Sequence, residues 1–150
     1  MKAKQRGFVL IAMSVTMLLL LAVIGLAFDL GRVYIARNEA QVFTDAAAMT
    51  AASKMDGTAA GIARADEAVA HLPMRWNLGT REFKGVIVEF SATGEKWERD
   101  PKDASAMTMA RVTAPANQVE ITFLRAAGGP DSMTVPARST AASNPVRLVQ

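Results

Sequence analysis

Phe8-Val-Leu-Ile-Ala-Met-Ser-Val-Thr-Met-Leu-Leu-Leu-Leu-Ala-Val-Ile-Gly-Leu-Ala-Phe28 runs for 21 residues without a charge. Its only polar side chains are Ser14 and Thr16. At about 1.5 Å per helical residue the run matches a bilayer hydrocarbon core roughly 30 Å thick, so it reads as a transmembrane helix. Just before it stand Lys2, Lys4 and Arg6, with no acid among them. Clustered Lys and Arg beside a span stay in the cytoplasm, which predicts a cytoplasmic tail at 1–7 and an exported remainder. The same tail accounts for the net charge of +3, since fourteen basic residues meet fourteen acidic ones from position 8 onward. No basic stripe is left for nucleic-acid phosphates.

A removable signal peptide is the competing reading, with Gly25 and Ala27 as its small-x-small pair. The run exceeds the usual length of about 7–15 residues for such a segment, and no helix breaker follows it. Instead Leu30, Val33, Ala36, Ala40, Phe43, Ala47 and Met49 or Ala51 recur in steps of three and four, an apolar stripe along a helix. Alanine, the strongest helix former, crowds positions 40–52. The expectation is one helix from about 8 to 55, spanning the membrane at 8–28 and projecting outward at 29–55.

The remainder, 56–150, is expected to fold as a small α+β domain. Asp56-Gly57-Thr58 reads as a stop and restart, with Gly57 as a C-terminal cap and Thr58 as an N-cap. A second helix follows over about 59–72, and Pro73 ends it. Beyond it the period drops to two at Val86, Val88 and Phe90, with Thr93-Gly94 as a turn into a hairpin partner at Glu95–Glu98. Met107–Ala114 and Met133–Ala141 are further strands. Val119–Ala127 reads both ways, as a strand by alternation and as a short helix stopped by Gly128-Gly129-Pro130; strand or turn is preferred. The fold class is α+β: a long N-terminal helix, a short second helix and a small, mostly antiparallel, pilin-like sheet covered by the helix's outer half. Cysteine is absent, so no disulfide supports it.

Arg6-Gly7-Phe8 at the start of the run, Gly25-Leu-Ala-Phe-Asp29-Leu-Gly31-Arg-Val-Tyr34 at its outer end, and Gln41 to Asp45-Ala-Ala-Ala48 resemble the N-terminal region of TadE/TadG-like Flp (tight-adherence) pilus assembly proteins. The resemblance covers about residues 6–53. It implies a non-enzymatic minor pilin-like or envelope component, held in a bacterial inner membrane and partnered by lipid and other pilus subunits. It implies neither a cofactor nor a small-molecule substrate. It also makes Gly7 and Phe8 a prepilin-type processing site. The fifth mature residue, where many processed pilins carry a glutamate, would then be Ala12.

Small residues let helices approach closely, and Gly25, Ala27, Gly31 and the alanines offer such a surface. The same alanines also suit packing on the chain's own sheet. Asp29 and Arg32 lie three apart at the outer lipid boundary, where they can pair. Asp29, Gly31, Arg32, Tyr34 and Asp45 are the candidate boundary and assembly residues. No catalytic or metal site is expected: His71 is alone, and Glu89, Glu95, Glu98 and Asp100 are interleaved with Lys96, Arg99 and Lys102 as surface ion pairs. Trp76 and Trp97 read as packing residues. The alternative function is a membrane-tethered periplasmic binding module whose helix is only an anchor.

Overall fold

The computed structural model describes residues 3–77 and 79–143. Its elements run α1 (Ala3–Lys54), α2 (Ala59–Ala70), β1 (Arg75–Trp76), β2 (Arg81–Glu82), β3 (Ile87–Ser91), β4 (Met109–Glu120), α3 (Phe123–Ala126) and β5 (Ser132–Ala142), with a 3₁₀ turn at Ala104–Ala106. The expected long helix is present, uninterrupted over 52 residues. The chain divides into two compact units that share it. One holds the residues up to Tyr34 together with Val119–Met133; the other holds Ile35–Gln118 and the chain from Thr134.

In the first unit the uncharged run is exposed from Phe8 to Phe28 except at Gly25. This is the only helix among the described residues long and apolar enough to cross a membrane. Beside Gly25 lies α3, whose Phe123 also meets Phe28 edge to face at 5.7 Å between ring centroids. The stretch left open between strand and helix is thus both in turn: β4 runs to Glu120 and a one-turn helix follows. The preference for strand or turn over 119–127 is corrected there. The helix wins because its ends are satisfied. At the C-terminal end Gly128 donates to the carbonyl of Arg125 and Gly129 to that of Leu124, a Schellman closure that requires Gly128's φ of 87°.

The second unit packs the outer half of α1 on the sheet domain. Ala36, Ala40, Phe43, Ala47, Ala48, Ala51 and Ala52 are buried, so the small side chains serve close packing within the chain. Two positions of the expected stripe depart from it: Leu30 and Met49 are exposed, and Ala51 rather than Met49 continues the row. The reason is rotation. A period of 3.6 carries position 49 off a face set by 36, 40, 47 and 51.

α2 starts as read. Thr58 caps it by accepting from the Gly61 N–H at 3.0 Å, and Asp56 accepts from the Thr58 N–H and hydroxyl. The sheet order is β3-β4-β5, with β3 antiparallel to β4 and Val88 opposite Val112. Alternation buries Val88 and Phe90 on β3, Ala110, Val112 and Ala114 on β4, and Val135, Ala137 and Ser139 on β5. The expected hairpin partner at Glu95–Glu98 is reduced to a single bridge between Phe90 and Glu98. Trp97 there sits under the Arg111 guanidinium at 4.2 Å and donates to the Gly94 carbonyl instead of extending a strand. The small β1–β2 hairpin was not foreseen, because two-residue strands carry no readable period. It places Trp76 and Phe83 in a stack with Phe43 of α1.

A boundary clasp and the faces of the long helix

Asp29 is the first charged residue beyond the uncharged run, and it is 2% exposed. An ionised carboxylate so placed needs donors, and α3 supplies them. Oδ1 accepts from the N–H of Thr122 at 3.1 Å, while Oδ2 accepts from Phe123 at 2.8 Å and Leu124 at 2.7 Å. These are the amides that a helix start leaves without partners. Thr122, the residue in the cap position, makes no side-chain cap of its own. Asp29 therefore caps α3 from another helix, 93 to 95 residues away in sequence. Burial pushes its carboxyl up, but the amides of Leu124, Thr122 and Phe123, aided by the Arg32 charge, outweigh this and hold it below its usual range. Arg32 contributes through its charge, and the hydrogen bonds of Asp29 run to the backbone.

Gly25, one turn earlier, is the second half of the clasp. A Cβ built there would stand 2.7 Å from the Cβ and Cγ of Phe123, closer than side chains approach. Gly31 differs: nothing lies within 4 Å of such an atom, and the residue is exposed. Tyr34 is 67% exposed. Gly7 is equally open and Phe8 is exposed, both inside α1. Lys2 lies outside the described residues, and Lys4 and Arg6 fall within the first turns of α1.

Asp45 belongs to a polar knot in the second unit. Ser139 of β5 donates to its Oδ1, Gln41 donates to both Asp45 and Ser139 at 3.0 Å, and the buried Thr44 hydroxyl meets Ser139 at 2.8 Å. One strand hydroxyl thus joins three side chains that lie within about one turn of α1. Nearby, Glu39 accepts from the backbone N–H of Asn77, whose φ of 53° asparagine tolerates. On the other side of the helix Ile35, Val42 and Met49 are exposed at a spacing of seven.

The second unit also has an open cleft of about 350 Å³ between α2 and β3, lined by Asp66, Glu67, Met74, Val88 and Arg99 among others. Burial raises the Asp66 carboxyl, with Asp100 adding to the rise and Arg99 opposing it. His71 lies at the C-terminal cap of α2 with Nδ1 2.8 Å from the Glu67 carbonyl. Among the described residues no group of three or more His, Cys, Asp or Glu is placed to hold a metal ion.

No curated protein and no solved structure matches the chain. Residues 7–54, about a third of the chain and nearly all of α1, match the family model described as Tad, putative Flp pilus-assembly TadE/G-like, the family that the same residues resemble.

Proposed function

We propose that the protein is a minor pilin-like or envelope component of a Flp/Tad-type pilus system, acting through helix packing and protein contacts rather than catalysis. The observation that carries this is α1 itself. One continuous helix has an exposed apolar first half and a second half used as the spine of a folded domain, and the family match covers that helix. In this reading residues 1–7 stay in the cytoplasm, 8–28 span the inner membrane, and 29–55 continue into an exported α+β domain at 56–150. Lys2, Lys4 and Arg6 set the orientation. Gly7 and Phe8 are the place where a prepilin-type peptidase would act. Gly31, Tyr34 and the exposed side of α1 face other subunits, whereas Asp29 and Asp45 act within the chain.

The competing reading, a tethered binding module, draws on the cleft beside Asp66 and Arg99. The two differ on what the helix does. Replacing residues 8–24 with an unrelated transmembrane sequence, while keeping Gly25 and Asp29, is expected to abolish surface pili and leave the protein in the membrane fraction. Normal piliation by that chimera would make the helix a mere tether.

A further inference from the structure

We propose that α3 and its flanks, residues 122–129, form a lipid-facing lobe that lies in the outer leaflet beside the anchor helix, with a phospholipid acyl chain in the groove between them. This rests on the reading of residues 8–28 as a membrane span.

The groove, about 500 Å³, is lined by Leu19, Val23 and Leu26 of α1 and by Phe123, Leu124 and Ala127 of the lobe. It is continuous with the exposed apolar surface of α1 and carries no charged side chain among its lining residues. From Leu19 to Phe28 a helix rises about 13 Å, close to one leaflet's hydrocarbon depth of about 15 Å. A lobe packed on that stretch shares its depth. Phe123 is half exposed although it touches the helix, so its free side joins the same apolar surface.

Backbone bookkeeping supports the same environment. Non-helical chain enters hydrocarbon only when its polar groups are satisfied from within. Here the leading amides of α3 are taken by Asp29, and the carbonyls of Leu124 and Arg125 by the amides of Ala127, Gly128 and Gly129. At the base Ile121 donates to the Asp131 carbonyl, and Arg125 pairs with the Asp131 carboxylate at 3.0 Å. That charge sits on a long stem that reaches toward the headgroups.

The chain has no cysteine, so Leu19→Cys and Ala127→Cys each give a single site for a bimane label. Full-length protein is reconstituted in phosphatidylcholine vesicles with and without doxyl-labelled acyl chains, and iodide serves as the aqueous quencher. Both labels are expected to lose at least half their emission to the doxyl lipid and to resist iodide. Ala126→Cys repeats the test at a second exposed alanine, should the first label disturb the lobe. If position 19 is quenched by lipid while 126 and 127 answer only to iodide, the lobe is in water and the inference is overturned with the anchor intact. If position 19 also answers only to iodide, the anchor reading fails and takes the lobe with it.

Discussion

Asp29 illustrates how one residue can carry a constraint that its neighbours in sequence do not reveal. Its position one turn beyond Gly25 puts both on the same side of α1, and both are spent on the same segment, residues 122–124. The folded carboxyl titrates below its ordinary value of 3.8, so its contribution is fully present above that value and is lost as pH falls through the lower, folded one. Protection factors for the Phe123 and Leu124 amides should accordingly hold down to about pH 4 and collapse below it, and Asp29→Ala should remove them at neutral pH. Unchanged protection in that variant would mean that the amides have other acceptors. Gly25→Ala should likewise loosen residues 122–124, because its new Cβ meets Phe123, while Gly31→Ala, with open space around it, should not. Hydrogen exchange on the two variants in parallel separates packing against Phe123 from a general effect of alanine on the helix.

At the scale of elements, the polar knot on Ser139 and the sheet face behind it make opposite demands. Ser139→Ala breaks contacts to Thr44, Gln41 and Asp45 at once, and is expected to cost about 1–2 kcal/mol in denaturant unfolding of the detergent-solubilised chain. Thr113 of β4 has the reverse problem, since its buried hydroxyl finds no partner among the described residues. Thr113→Val keeps the shape and removes that group, and should raise stability by about 1 kcal/mol. A loss there would reveal a partner for the hydroxyl. Much of this level was legible beforehand. The cap at Thr58, the stop at Gly57 and the three main strands follow from local chemistry and alternation. The β1–β2 hairpin was not legible, because two residues have no period, and the Glu95–Glu98 strand was over-read, because Trp97 finds better use against Arg111.

For the whole molecule, the proposed anchor makes a definite statement about processing. Gly25 and Asp29 contact one lobe, so a cut after Ala27 would separate them. Mass measurement of the mature protein should find its N-terminus at Met1 or Phe8. A terminus at Phe28 would mean that the apolar run is discarded and that the clasp loses half its residues.

The long helix, its apolar first half and the α+β character of the rest were determined by the sequence alone, because helix period, uncharged length and strand alternation are local properties that no packing partner has to supply. What Asp29 and Gly25 do was decided only by the tertiary structure. From sequence they are an acid near Arg32 and a small residue suited to a neighbouring helix, both reasonable readings of nearby residues. Their real partners lie more than ninety positions away, in a segment whose own pattern was ambiguous. A carboxylate can cap a helix from any direction, and a missing Cβ can admit any ring. Neither leaves a periodic trace, so the choice of partner depended on which segment the fold returned to the helix.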